Sequence, residues 1–296
     1  MEFWELTVPA TPETTEGLTN FLWEQGALGV VEEETPPAPA RLRAFYAARV
    51  PSAALVSAVE RYRHELRALG FAVGGEAEIH PLHDEQWASA WQQSFPPLPV
   101  GDRLFVAPPW ETAPTPAGRV RVVIEPGRAF GTGHHGSTEG CLALLDRWLA
   151  TQPAPRVLDI GTGTGILAVA AVRLGVPRVA AIDVDPDAVA AARQNAEANG
   201  VADRIDVSGG GPESLPRTAA YDLVLANILA HTHLALVREY RRRVAPFGAL
   251  VLGGMLAGED DQVTRSLVPH GFTPRESFER EGWAATLLVR DATPPR

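Results

Sequence analysis

Val157-Leu158-Asp159-Ile160-Gly161-Thr162-Gly163-Thr164-Gly165-Ile166-Leu167 joins one apolar run to another through a turn almost free of side chains. A strand, a turn and a helix in that order leave room for a nucleotide-like ligand against the turn. A dinucleotide fingerprint reads G-x-G-x-x-G, its third glycine allowing helix and strand to pack closely and its helix N-terminus receiving a pyrophosphate. Here that third position is Ile166, and the pattern is D-x-G-x-G-x-G opened by Asp159. The turn therefore suits a ligand without a pyrophosphate, of which S-adenosylmethionine is the common one, and it disfavours NAD.

A second signal lies 22 residues after Gly161, where Arg178-Val179-Ala180-Ala181-Ile182-Asp183 is a short apolar strand ending in an acid. A carboxylate at that place can accept hydrogen bonds from both hydroxyls of an adenosine ribose. Helix signals follow at once: Asp185 as N-cap, Pro186 at the first helical position, and Ala188, Ala191, Ala192 and Asn195 on one stripe up to Gly200. The whole is a βαβ unit.

The chain of 296 residues has room for two domains, and a hydrophobic content of 45% supports a sizeable core. No apolar run approaches the ~18 residues of a membrane span. Met1-Glu2-Phe3-Trp4-Glu5 has neither the basic region nor the apolar core of a signal peptide, so a cytoplasmic location is expected. Cys141 is the single cysteine, which excludes an internal disulfide or thiolate cluster; among Leu142, Leu144 and Leu145 it reads as a packed core thiol. Net charge is −10, and up to Phe95 there are 14 acidic residues against 6 arginines, leaving −2 for the remainder. Such an acidic first segment repels nucleic acid and attracts basic partners. Every one of the 26 basic residues is arginine. Genome composition and avoidance of self-modification by a lysine-modifying enzyme are the two explanations.

Phe3 to Val8, Ala27 to Glu33, Arg41 to Val50 and Ala77 to His80 read as strands, with helices over Thr14 to Gly26 and Ser52 to Leu69 and a break at Pro36, Pro37 and Pro39. The order β-α-β-β-α-β is that of a ferredoxin-like α+β domain. His83 to Trp91 carries Trp87 and Trp91 on one helical face, either to pack a connecting helix or to stack on a ligand. Arg103 to Ala107 and Val120 to Ile124 read as strands around a proline-rich loop. Next comes Glu125 to Thr138, whose Gly131, Gly133 and Gly136 and small hydroxyls let backbone approach a ligand before an apolar helix from Cys141 to Leu149. His134 and His135 are adjacent and have no suitably spaced ligand partner, so a cofactor lid is favoured over a metal site and none is assigned. Further on, Ile205 to Ser208, Tyr221 to Ala226, Ala249 to Gly253 and Trp283 to Arg290 read as strands. Helices are expected over Leu234 to Val244, with Arg241, Arg242 and Arg243 solvated, and over Asp260 to Val268. Asn227 ends a strand, where a polar residue faces the ligand crevice.

Together, the glycine turn after Asp159, Asp183 and Asn227 resemble the class I S-adenosylmethionine-dependent methyltransferases, a Rossmann-like doubly wound α/β fold. Ala129-Phe130-Gly131-Thr132-Gly133-His134-His135 with Ser137-Thr138, and Ala226-Asn227-Ile228-Leu229-Ala230, are similar to the PrmA family, methyltransferases of large-subunit ribosomal protein number eleven. Trp87, Trp91, Gly101-Asp102-Arg103-Leu104 and Trp110 also match that family, and the resemblance is strong from about Trp87 onward and weaker before it. At Gly136-Ser137-Thr138 the chain departs from the family, which has a larger residue and then two threonines. The resemblance implies three parts: a substrate-recognition domain over 1–82, a linker helix over 83–95 and a methyltransferase domain over 96–296. It implies that Thr138 and the loop of Phe130, Gly131, Thr132 and Gly133 close over the cofactor, that Gly161 and Gly163 touch it through backbone, that Asp183 holds the ribose, and that Asn227 sits beside the methyl group as the catalytic residue. The expected partner is a basic ribosomal protein of the large subunit, met by a monomer without nucleic acid or membrane. Amide and exocyclic-amine methyltransferases carry Asn-Pro-Pro-Tyr where this chain has Asn227-Ile228-Leu229-Ala230, so glutamine and adenine targets lose ground; the resemblance implies lysine amines, with an N-terminal amine as a further candidate. The rivals are a methyltransferase of another protein or small molecule and a noncatalytic ribosomal-protein-binding factor. No dedicated general base stands out; His134 and His135 are the candidates.

Overall fold

A computed structural model describes residues 2–33, 41–83, 95–127, 129, 131, 133 and 135–292. The expected linker helix with Trp87 and Trp91, the prolines at 36, 37 and 39, and Phe130, Thr132 and His134 fall outside the described residues. The chain divides into two compact units, Met1–Pro96 and Pro97–Arg296.

In the first unit the elements are β1 (Glu2–Pro9), α1 (Thr15–Glu24), β2 (Gly29–Glu33), β3 (Arg41–Ala47), α2 (Ser52–Ala68) and β4 (Glu78–His83). The sheet order is β2-β3-β1-β4 with every pairing antiparallel, the ferredoxin-like arrangement expected from the element order. Alternation along β1 buries Leu6 and Val8 fully, against Leu18 and Leu22 one helical turn apart on α1 and Leu55 and Val59 on α2. Arg63 is fully buried on α2 and donates to the carbonyls of Gly74 and Gly75, holding the chain that returns to β4.

The second unit opens with a small sheet of β5 (Leu98–Val100), β6 (Leu104–Ala107) and β7 (Val120–Val123). There follow α3 (Gly136–Thr151), β8 (Arg156–Ile160), α4 (Ile166–Arg173), β9 (Arg178–Asp183), α5 (Pro186–Ala198), β10 (Ile205–Gly209), β11 (Tyr221–Asn227), α6 (Ala230–Arg243), β12 (Val244–Leu256), α7 (Glu259–Leu267), β13 (Phe272–Arg280) and β14 (Trp283–Arg290). Its sheet runs β10-β9-β8-β11-β12-β14-β13, parallel except for β14, so strand order reverses between β8 and β11. Ligands of doubly wound sheets lie at that switch point, outside the carboxyl ends of the strands. Successive strand residues enter opposite cores. Val157, Leu223 and Val251 pack with α3, α4 and α5, whereas Leu158, Val224 and Leu252 pack with α6 and α7. Among the described residues no helix is long and apolar enough to cross a membrane.

Three expectations need correction. Helix α3 starts at Gly136 and not at Cys141: a Cβ at Gly136 would lie 2.7 Å from Arg280 O, and one at Gly140 would lie 2.9 Å from Ala285 Cβ, so tertiary packing against β13 and β14 overrides the poor helix propensity of glycine. Strand β13, largely polar and at the sheet edge, was not foreseen. Arg243, expected in solvent, is 1% exposed; Nη1 donates to Pro216 O at 2.5 Å and Nη2 to Pro212 O at 2.7 Å, so it fastens the loop before β11.

Gly101-Asp102-Arg103 has a mechanical role. Asp146 on α3, 2% exposed, accepts from Asp102 N at 2.7 Å, Arg103 N at 3.2 Å and Arg103 Nε at 2.6 Å. A Cβ at Gly101, where φ is +53°, would lie 2.4 Å from Asp146 Oδ2. Asp146→Ala is expected to destabilise this unit by about 1.5–3 kcal/mol, since it removes the hydrogen bonds that a buried carboxylate accepts from Asp102 and Arg103; denaturant unfolding reads the loss.

Candidate active site at the strand ends

The turn after β8 folds back onto β9: Gly161 N donates to Ile182 O at 2.9 Å and Thr162 N to the same oxygen at 3.1 Å. Gly161 has φ +67°, and a Cβ there would strike Ile228 Cγ2 at 2.5 Å. Gly165, with φ +80°, opens α4, and its hypothetical Cβ lies 3.1 Å from Ala192 Cα, so it supplies a close helix approach one position before Ile166.

Asp183, at the end of β9, is committed at both oxygens. Oδ2 accepts from Gly163 N at 2.9 Å and Oδ1 from Asp185 N at 3.0 Å, which fixes the carboxylate and leaves lone pairs for two further donors. Asp185 caps α5 as expected, accepting from Asp187 N at 2.9 Å. Val184 was missed: this apolar side chain is 77% exposed directly after the acid, a surface on which a flat base can lie. The signal was there, an apolar residue in a turn of polar ones. Asp159 is fully buried; Thr162 Oγ1 donates to its Oδ2 at 2.6 Å, and Oδ1 has no hydrogen-bond partner among the described residues. Burial pushes this carboxyl up to about 7.

The loop before α3 is tied to the same turn. Thr164 Oγ1 donates to Gly131 O at 2.5 Å, while Asn195 on α5 donates to Thr164 O at 2.8 Å and accepts from Glu125 N at 2.9 Å. Asn199, one turn later, accepts from Val123 N at 2.8 Å and donates to Val123 O at 2.6 Å, as a neighbouring strand would. The sequence placed Asn195 on a helical stripe without showing that it staples loop to turn. A recess of about 300 Å³ opens between Glu125, Ala129, Thr164 and the Ala190–Gln194 side of α5.

Thr138 and Asn227, far apart in sequence, come together. Asn227 Nδ2 donates to the fully buried Thr138 Oγ1 at 3.1 Å, and Asn227 Oδ1 is buried with no partner among the described residues. An acceptor in that state has unmet hydrogen-bonding capacity beside the switch point. His135 is a poor base. Burial holds its ring down to about 4, Nδ1 lies 2.8 Å from Ser137 Oγ, and the ring packs 4.3 Å from that of Trp283. Cys141 is fully buried and its thiol is pushed up by burial, as a core thiol is. Among the described residues no group of three His, Cys, Asp or Glu side chains could hold a metal ion.

Comparison with known proteins adds an independent line. The family model for ribosomal protein L11 methyltransferase (PrmA) matches residues 2–291. The ribosomal protein L11 methyltransferase of Symbiobacterium thermophilum is 40% identical over 228 residues, 76% of this chain and 73% of that one. The one from an Exiguobacterium species is 31% identical over 98% of this chain and 100% of its own. Among solved structures, a ribosomal protein L11 methylase from Lactobacillus delbrueckii subsp. bulgaricus aligns with a TM-score of 0.60 at 26% identity, covering 66% of this chain and 98% of that chain. With the doubly wound sheet, the glycine turn and a match spanning both units, the chain belongs to the ribosomal protein L11 methyltransferase family.

Proposed function

We propose that this protein transfers methyl groups from S-adenosylmethionine to lysine side-chain amines, and to an N-terminal amine, of a large-subunit ribosomal protein of the L11 type in the cytoplasm. The observation that carries the reading is the pairing of Asn227 with Thr138. One side-chain atom of Asn227 is used to fix its orientation, and the other is a buried acceptor without a partner at the carboxyl end of β11.

The chain fits the cofactor at several points. Asp183 keeps lone pairs for the ribose hydroxyls, Val184 offers an apolar surface for the base, and Gly161 and Gly163 present backbone at positive φ, with a Cβ at Gly161 excluded by Ile228. Gly131 and Gly133, with Phe130, Thr132 and Thr138, are assigned to closing over the methionine and adenosine parts. When bound, the cofactor supplies a methyl group already activated on a positive sulfonium.

The protein's share is placement and proton control. In-line transfer needs nucleophile and carbon ~3–3.5 Å apart. A lysine amine with an ordinary pKa near 10.4 must be neutral, which costs about 4.6 kcal/mol at pH 7. A dry site lowers that cost by disfavouring the ammonium form. Asn227 Oδ1 accepts from an amine N–H and so aims the nitrogen lone pair. The acidic first unit, −8 up to Phe95, suits a basic protein substrate. Mass spectrometry of ribosomal proteins from a strain lacking the gene tests the whole reading, since an unchanged methylation pattern would remove it.

Asp183→Ala should weaken S-adenosylmethionine binding by about 1.5–3 kcal/mol in calorimetry, the range of hydrogen bonds to a charged group. Asn227→Ala should lower turnover by ~10²-fold with a smaller change in cofactor affinity, as for a group acting chiefly in the transition state. A chain starting at residue 83 should bind the cofactor yet fail on the ribosomal protein, and full-length activity should fall with salt, screened over a Debye length of about 8–10 Å. Equal methylation by the shortened chain would move recognition out of the first unit.

A further inference from the structure

His233 is fully buried in the first turns of α6, and none of the roles assigned above uses it. Its Nε2 lies 2.8 Å from Gly253 O and its Nδ1 lies 2.7 Å from the Tyr240 hydroxyl. A backbone carbonyl only accepts, so Nε2 carries the hydrogen and donates; Nδ1 then holds a lone pair and accepts from Tyr240. Burial holds the ring down to about 4, which keeps it in this neutral form. Tyr240 is itself fully buried, and burial pushes its hydroxyl up, so it remains a donor. The tautomer of His233 is thus set by Gly253 O, and Tyr240, two helical turns along the same face, holds the ring from behind by donating to Nδ1.

The carbonyl being held is the one beside the proposed catalytic residue. Gly253 is the register partner of Asn227 across β11 and β12, and its oxygen also accepts from Ile228 N at 3.2 Å. A Cβ at Gly253 would lie 3.0 Å from Asn227 Oδ1, 3.2 Å from Ser137 O and 2.4 Å from Cys141 Sγ. A Cβ at Gly254, where φ is +77°, would lie 2.5 Å from Ile228 O. The peptide joining Gly253 and Gly254 therefore lies bare against Asn227 and the exit of β11, with no side chain between them to absorb a rotation. Without His233 the Gly253 carbonyl would be held by the longer bond from Ile228 N alone, which loosens the peptide that bounds Asn227 Oδ1.

We infer that His233, held by Tyr240, is a positioning residue for methyl transfer, which fixes the Gly253 carbonyl and through it the Asn227 side chain. The inference rests on the role proposed above for Asn227.

His233→Asn retains a polar group near Tyr240 but no donor long enough to reach Gly253 O; His233→Gln returns an N–H close to the place of Nε2. With the full chain and its ribosomal protein substrate, His233→Asn should lower kcat ~10-fold, within the range that small misplacements cost, while KM and S-adenosylmethionine affinity change less than ~2-fold. His233→Gln should recover most of the loss. Added to Asn227→Ala, His233→Asn should cost nothing more, because residues that act through one another are not additive. A His233→Asn protein with a lower melting temperature and unchanged kcat overturns the inference, as does a full additional loss in the double variant. Should His233→Asn not fold, Tyr240→Phe removes one hydroxyl only; a kcat about 3-fold lower supports the inference, and an unchanged kcat overturns it. Full turnover in Asn227→Ala alone would instead sink the Asn227 assignment, a result distinct from failure at His233.

Discussion

Between β8 and α4 the backbone must reverse at the open end of a sheet buried on both faces, through a glycine-rich turn whose tip at Gly163 needs a brace from outside it. The hydrogen bond from Gly163 N to Asp183 Oδ2 supplies the brace. It joins the ends of two adjacent strands, and because Asp183 Oδ1 also takes Asp185 N, the same carboxylate sets where α5 begins. From α5 the constraint passes on. Ala192 meets Gly165, and Asn195 and Asn199 carry the backbone of β7 and the loop after it. One carboxylate at the edge of the crevice thus orients the turn below the ligand and, through a helix, the loop beside it.

The opposite wall is built by different means. Helix α3 reaches the crevice because two glycines let it lie against β13 and β14, and Glu139 on that helix, 7% exposed, pairs with Arg280 at the end of β13. That contact sets the depth of Thr138, hence its distance to Asn227. A bulkier residue at position 136 would have to move the backbone of Arg280 or push the first turn of α3 outward.

What could be read from sequence follows from whether the signal was local. The strand, glycine turn, strand and acid from Val157 to Asp183 were legible because each carries its own periodicity or its own steric demand, and the strand order of the ferredoxin-like unit followed from its element order. The first turn of α3 was not legible, since glycine disfavours helix and the contacts that hold it, with residues 278–285 and with Asn227, are distant in sequence. Strand β13 was hidden by a polar run whose two strong apolar anchors are Phe272 and Phe278. His233 reads as one more polar residue of Ala230-His231-Thr232-His233, yet His233, Val237 and Tyr240 share one buried stripe. That stripe is visible as spacing, but the partner of its histidine is not, because Gly253 O lies on another strand beside Asn227.

The absence of lysine also takes on a physical meaning at particular positions. Arg63 donates to Gly74 O and Gly75 O at once, Arg243 to Pro212 O and Pro216 O, and Arg121 to Glu111 O and Ala113 O while its Nε reaches Thr115. Each clamps two carbonyls of a loop that has no strand partner, a task suited to a planar fork with five fixed donors and poorly met by a single ammonium, whose desolvation in a buried site is also harder to offset. Arginine is therefore required at these loops whatever produced it elsewhere. Exposed positions such as Arg61, Arg67, Arg178 and Arg217 carry no such demand. The two explanations of an all-arginine chain, genome composition and avoidance of self-methylation, accordingly compete only over the exposed set, because only there would a lysine have been structurally acceptable and open to methylation.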